Sequence, residues 1–406
     1  MSTTPLQGLK VLDLSKVLAG PMCAQYLGDM GAEVVKVEAA DGDETRHWPP
    51  FRTDAEGGRT GTVFLAANRN KRSIALDLRH PAGLAVVLQL AARADVVIDS
   101  FGPGVAARLG VDAATLRAHN PRLVCCTISG YGSVGPMREG KGYDVILQAF
   151  CGMLAITGEP GGPPVRSPFS PVDQATGLHA LIGILALLNE RERTGLGGTV
   201  EAALFDTATA FLGYFLQAYW ERGTEPERPG SGHESLCPYE AFDTADQPLI
   251  LGVANDVLWR SFCNVAGLND VVDDPRFRTN GDRVAHRAET VAMVRRVLAT
   301  QRRESWLAAL NAAGIPCSPL HTLGELSRHP HTAASGMVRE HDDAHYGTLH
   351  SVSQPLRFGG ERTSVRSLPP ALGADGIGVL RDAGYSQGQI DELVREGAVR
   401  VPATAP

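Results

Sequence analysis

The sequence predicts an α/β fold built on a mostly parallel β-sheet, with a smaller α+β domain set into the second half of the chain. Three observations carry this expectation. Short apolar runs alternate with helical patterns through the first third. A long apolar helix follows near the middle. The linker-like passage Thr224 to Gly232 then separates these elements from a hairpin pattern and several Arg- and Ala-rich helices.

In chain order, Leu9 to Leu14 reads as a strand buried on both faces, because such strands need no alternation. Pro21 can open a helix at its first position, and Gly31 can end it. Glu33 to Glu38, Ser73 to Leu78, Asp95 to Ser100 and Leu123 to Ile128 are the next strands, with helices near 81–93 and 112–119 between them. From Tyr143 the pattern turns helical. A Gly/Pro-rich turn at Glu159 to Pro164 precedes a helix from Asp173 to about Arg193, stopped by Thr194 to Gly198. Val200 to Ala203 is a short strand, and a helix covers Asp206 to Arg222. Pro238 to Val253 is a hairpin turning at Thr244 to Gln247, followed by helices to about Ala313. The passage 316–335 is loop-rich and leads to strand-like and helical segments ending near Glu396. The final residues, VPATAP, are expected to fray.

A length of 406 residues allows two or three domains, and 43% hydrophobic with 20% charged residues is a globular composition. The seven cysteines show neither CxxC nor metal-ligand spacing, so reduced thiols in a cytoplasmic protein without a metal site are expected. The opening MSTTPLQGLK lacks the pattern of a secretory signal. The longest apolar stretch, Leu178 to Leu188, falls short of the roughly 18 residues that span a bilayer, which predicts a buried helix and no membrane association. A net charge of −7 without a basic block argues against nucleic acid as a partner.

The βαβ opening is Rossmann-like, and Glu38 closes the second strand where an acid would hold a ribose. However, the turn from Ser15 to Pro21 has one glycine where the dinucleotide fingerprint needs three. That argues against a nicotinamide or flavin enzyme and leaves room for a ligand whose nucleotide part is bound in another way.

Several motifs, in order, resemble the class III CoA-transferases of the CaiB/BaiF type, the family of formyl-CoA transferase and carnitine CoA-transferase. They are VLDLSKVLAGP, GAEVVKVE, NRNKRSIALDL from Asn68, SFGPGVAARLG from Ser100, NPRLV from Asn120, GKGYD with Gln148, TGEPGGPP, PVDQATGLHALIGILALL and LRDAGYSQGQIDEL. The likeness covers nearly the whole chain. It implies that Asp173 is the nucleophile, although an aspartate at that place also suits an N-cap. A carboxylate nucleophile divides thioester exchange into easier steps. The start of a helix is expected to favour its ionised form, and the apolar helix body to keep water away.

The resemblance further implies that coenzyme A or acyl-CoA is bound as a substrate, with no tightly held cofactor. The implied contacts are Leu18, Ala19, Leu76, Arg79, Ser100, Phe101, Gly102, Arg108, Lys141 and Tyr143. Arg79, Arg108 and Lys141 are the expected phosphate partners, with Lys71 and Arg72 as nearby substitutes. His233 and Asn255 are candidate acyl-binding residues, each with a structural or turn role as the alternative.

Departures from the family pattern narrow the substrate. Leu18 replaces a glutamine of the formyl/oxalyl enzymes, Ala39 stands where some members place an arginine near the adenine end, and Gly252 to Asn255 holds one glycine in place of the glycine-rich flap of the formyl/oxalyl enzymes. These argue against formyl-CoA/oxalate exchange. The PY-x-x-F segment at Pro238 and DPRF-x-TN-x-x-R from Asp274 resemble dicarboxylate-specific members and suggest a succinyl-CoA donor with a short dicarboxylic or branched acceptor. An α-methylacyl-CoA racemase needs a second acid–base histidine where Gly142-Tyr143-Asp144 stands. A non-catalytic acyl-CoA-binding protein is the remaining alternative. The fold implied is a large domain formed by both chain ends (1–223 and 326–406), a small domain at 224–325, and an interlocked homodimer.

Overall fold

The computed structural model describes residues 4–402, so the last four residues of VPATAP lie outside it. The chain divides into two compact units. The first comprises residues up to 151, 167–217 and from 331 onward, and the second 152–166 and 218–330. Segment 152–166, which sequence reasoning assigned to the large domain, therefore belongs to the second unit.

The first unit is a mixed α/β layer structure on a seven-stranded sheet. Its strands are β1 (Lys10–Leu14), β2 (Glu33–Glu38), β3 (Lys71–Leu76), β4 (Val96–Asp99), β5 (Val124–Ser129), β6 (Thr199–Ala203) and β7 (Val399–Arg400). Their spatial order is β7-β3-β2-β1-β4-β5-β6. All neighbours run parallel except β7, which closes the β3 edge antiparallel by pairing Val399 with Leu76. The chain's end thus covers an edge that would otherwise expose unpaired backbone groups. Strand order reverses between β1 and β4, the topological switch point of a doubly wound sheet.

Both faces are covered, which is why the strands read as near-continuous apolar runs. On one face Leu12, Leu14, Ile74, Val97 and Leu123 pack with Val86, Leu116, Leu380 and Ile390. On the other lie α1 (Ala19–Asp29) and the 24-residue α2 (Pro171–Thr194), which pack on each other and on the sheet. Helix α1 begins two residues before Pro21, so the proline sits inside its first turn.

By length and composition α2 is apolar enough to cross a membrane, more than the stretch Leu178 to Leu188 suggested. Here Val172, Thr176, Ala180, Leu181, Ile184 and Leu188 are buried, whereas Leu178 and Ile182 are exposed, so the expected fully buried helix is buried on one face only.

The second unit holds an antiparallel sheet, Cys317–Pro319 beside Leu249–Gly252 beside Tyr239–Phe242, as the hairpin pattern predicted. Its core gathers Trp259, Phe262, Trp306 and Leu310 from the helices Asp256–Ala266 and Arg303–Ala312. The passage 316–335 is less loop-like than its sequence suggested, since it contains that edge strand and the helices Leu323–Arg328 and Pro330–Ser335.

Candidate active site

A cleft of about 720 Å³ opens at the switch point, within the size range of small-molecule sites. Its walls are the turns after three adjacent strands: Lys16 to Gly20 after β1, Asp99 to Ala107 from the end of β4, and Thr127 to Gly130 at the end of β5. Arg138 to Tyr143 form a further wall, and Asp173 also lines it. Ligands of open α/β sheets bind at this location, beyond the carboxyl ends of the strands where neighbouring connections diverge.

Asp173 stands in the first turn of α2, half-buried. The helix start does not serve it as the sequence suggested. Its N-cap, Ser170, holds a left-handed conformation (φ 52°) and makes no side-chain cap. The cap comes instead from Asp144, a buried residue at the start of the helix Asp144–Phe150. Asp144 Oδ2 accepts from the backbone N–H of Val172 at 2.8 Å and of Asp173 at 3.2 Å. Gln148 Nε2 donates to Asp144 Oδ1, and the Gln148 side-chain oxygen accepts from Ser167 N at 2.9 Å.

With the helix N–H groups taken, Asp173 is left with burial and a neighbouring carboxylate. Burial first, then the Asp144 charge, push its pKa up to about 7. The expectation of a carboxylate favoured by the helix start is thereby corrected: the first N–H groups of the helix are given to Asp144 Oδ2, not to Asp173. Asp173 is poised instead to gain or lose a proton near neutrality, the kind of perturbed group that marks functional sites.

Seven of the ten predicted coenzyme contacts line the same cleft as Asp173: Leu18, Ala19, Ser100, Phe101, Gly102, Lys141 and Tyr143. The other three do not. The Leu76 side chain is in the core, 1% exposed. Arg79 is exposed beyond β3, and Arg108 is exposed just past the cleft-lining Val105 to Ala107. The substitutes are engaged elsewhere. Lys71 is buried against Asp13 at 2.9 Å, and Arg72 pairs with Asp382 at 2.7 Å. Glu38, at the ribose position of a dinucleotide fold, is occupied by Arg46 through two 2.7 Å hydrogen bonds and by Ser73.

His233 and Asn255 belong to the second unit. His233 Nδ1 accepts from Ser235 N at 3.1 Å, and Asn255 Oδ1 accepts from Leu258 N at 2.9 Å, capping the helix Asp256–Ala266. The structural alternative thus accounts for one polar atom of each. Sequence reasoning missed Asp144 as the partner of Asp173, although GKGYD was in view. The signal was the acid that ends that motif, weighed only for the absence of a histidine. It also missed Val17, whose positive φ of 70° has no mark in the sequence.

A cleft at the switch point of a doubly wound sheet, with a desolvated carboxylate in its lining, is the arrangement of an α/β protein that takes a small-molecule ligand. The chain belongs to CoA-transferase family III, whose profile matches residues 6–376. It is 35% identical over 400 residues to succinyl-CoA:glutarate CoA-transferase of Mus musculus, covering 98% of this chain and 91% of that protein. It is 39% identical over 340 residues to succinate–glutarate CoA-transferase of Agrobacterium fabrum, covering 82% and 84%. The crystal structure of a CAIB/BAIF family protein from Brucella suis superimposes with a TM-score of 0.83 at 36% identity, covering 94% of this chain and 100% of that one. The protein is a class III CoA-transferase, an enzyme of CoA thioesters.

Proposed function

We propose that this enzyme moves coenzyme A from succinyl-CoA to a short dicarboxylic acid, with Asp173 covalently involved. The carrying observation is the placement of Asp173, desolvated, in a cleft lined by seven of the predicted coenzyme contacts. The names of the glutarate-exchanging relatives support the dicarboxylate class.

In this reading an Asp173 carboxylate oxygen attacks the donor thioester carbonyl. The C–S bond breaks, giving a mixed anhydride and CoA thiolate. The thiolate then attacks the Asp173 carbonyl, releasing the donor acid and leaving an aspartyl-CoA thioester. An acceptor carboxylate displaces the thiolate to form a new anhydride. The returning thiolate takes the acceptor acyl group and restores the Asp173 carboxylate. One thioester is exchanged for another, so no net oxidant or proton is needed. Both intermediates hydrolyse readily, which a half-buried nucleophile at the start of an apolar helix helps to prevent.

Phosphates of coenzyme A would meet Lys141 within the cleft and Arg108 at its edge. We also read the protein as a cytoplasmic homodimer. Leu178 and Ile182 on α2, with Ile146 and Phe150 on the helix Asp144–Phe150, are exposed apolar side chains of the kind a second copy would cover. Sedimentation as a monomer at micromolar concentration speaks against that.

The decisive test is mass spectrometry after mixing enzyme with succinyl-CoA and trapping with hydroxylamine or borohydride. Modification is expected on the peptide carrying Asp173, and Asp173→Ala should lose on the order of 10³-fold or more in kcat. An unmodified peptide together with an active Asp173→Ala enzyme would sink the reading.

A further inference from the structure

Beneath the cleft lies a group of charges that the transfer chemistry does not use. Lys36 on β2 is fully buried and pairs with Asp43, itself buried, at 3.0 Å. Both are aimed at one short turn, Ser15 to Leu18, which joins β1 to α1 and supplies one wall of the cleft. Lys36 Nζ donates to the Ser15 carbonyl at 2.9 Å. Asp43 accepts from the backbone N–H of Val17 at 3.2 Å. Asp13 accepts from Ser15 N at 3.0 Å and from the Ser15 hydroxyl, while Lys71 holds Asp13 in place at 2.9 Å. The Ser100 hydroxyl accepts from Lys16 N at 3.0 Å. Three successive backbone N–H groups and one carbonyl are therefore fixed by side chains drawn from outside the turn.

Such holding is needed because Val17 lies at φ 70°. The left-handed region is unfavourable for a β-branched residue and persists only where the surroundings over-determine it. The turn also bears on the nucleophile. The next residue after it, Ala19, touches α2 at Gly177, where an added Cβ would sit 2.5 Å from the Ala19 carbonyl oxygen. Gly177 lies one helical turn beyond Asp173. Displacement of the turn would therefore shift a cleft wall and the support of the reactive carboxylate together.

We propose that Lys36 and Asp43 are positioning residues: the buried pair locks the strained Ser15–Leu18 turn and, through the Ala19–Gly177 contact, sets the place of Asp173. The proposal rests on Asp173 being the acylated group. Its test is a double-mutant cycle on the half-reaction, with the rate of Asp173 adduct formation from succinyl-CoA followed by quenched mass spectrometry without acceptor. The four proteins are the wild type, Lys36→Met, Val17→Gly and the double variant, each checked for folding by near-ultraviolet circular dichroism.

Lys36→Met should slow adduct formation by about tenfold or more. Val17→Gly should recover most of that loss in the Lys36→Met background, because glycine adopts a positive φ without being held there. A merely structural role for the pair predicts no such rescue. A folded Lys36→Met enzyme that forms adduct at the wild-type rate overturns the proposal. So does a Val17→Gly effect of equal factor in both backgrounds. Should Lys36→Met alone not fold, Lys36→Met/Asp43→Asn, which strands no lone buried charge, takes its place with the same readings. If the wild type itself forms no adduct, it is the assignment of the nucleophile that has failed, and the positioning role falls with it.

Discussion

Two of the places where the first unit buries carboxylates differ in the company they keep. Asp13 and Asp43 sit among Lys36 and Lys71, with hydrogen bonds to the ions on both sides. For both, burial alone would raise the pKa, but the neighbouring lysines and hydrogen bonds outweigh it and hold the carboxyls below their ordinary value. Asp173 is desolvated as well, yet its charged neighbour is another carboxylate, and it rises to about 7. Burial is common to the two places, and the sign of the neighbour separates them. Paired charges hold both partners ionised, whereas the like-charged pair leaves one carboxylate titrating near neutrality.

The contrast is tested most severely on the paired side. Lys71→Met deprives buried Asp13 of its direct ion-pair partner and frees the carbonyl of Pro21 and the side chain of Asn68, which Lys71 also holds. The expected cost is about 3–5 kcal/mol of unfolding free energy, read from urea denaturation. Removing both charges, in Asp13→Leu/Lys71→Met, should cost clearly less. If the single change is no worse than the double, the network is not held by ion pairing and the comparison breaks.

On the reactive side, Asp144→Asn keeps an oxygen to cap Val172 and Asp173 but removes the neighbouring charge. Only ionised Asp173 can attack, so the wild-type kcat/KM should fall about tenfold per pH unit below roughly pH 7. In Asp144→Asn that acid limb should move to lower pH. Because burial is the larger cause, it should stay above the ordinary carboxylate range. The gain in rate at pH 6 is on the order of threefold to tenfold. An unmoved limb would mean that burial alone sets the titration.

How much of this was legible in the sequence differs between the same two places. The parallel strands were found within about two residues, because buried parallel strands leave apolar runs that any reader sees. The surrounding order of motifs singles out Asp173, which the structure places in the lining of the cleft. Its protonation was misjudged, since a helix start normally favours an anion, and nothing in the sequence shows that Asp144, 29 positions earlier, already fills it. The role of Lys71 is hidden for the same reason: a lysine in a polar motif reads as a phosphate partner until its partner on another strand is known. The strain at Val17 is invisible, because valine ordinarily avoids that conformation and only tertiary hydrogen bonds impose it.

The smallest expected effect concerns stability, and its sign sharpens the comparison. The folded-state pKa of Asp173 is raised to about 7 from an ordinary 3.8. Between those values the native state binds a proton that the unfolded state has already lost, so this residue's contribution falls as pH rises through that window and is at its worst above pH 7. Asp173→Asn carries no such proton. It should therefore be more stable than the wild type by on the order of 1 kcal/mol at pH 8, with the advantage shrinking towards zero as pH approaches 4. Paired Asp13 should behave in the opposite way, since its lowered pKa gives stability that is present above the unfolded value and lost on acidification through the folded one. Thermal midpoints of wild type and Asp173→Asn across pH 4 to 8 measure the difference. A constant offset, or a destabilised Asp173→Asn at pH 8, would show that the active-site carboxylate is supported in its ionised form, and the two buried places would then differ in chemistry but not in charge balance.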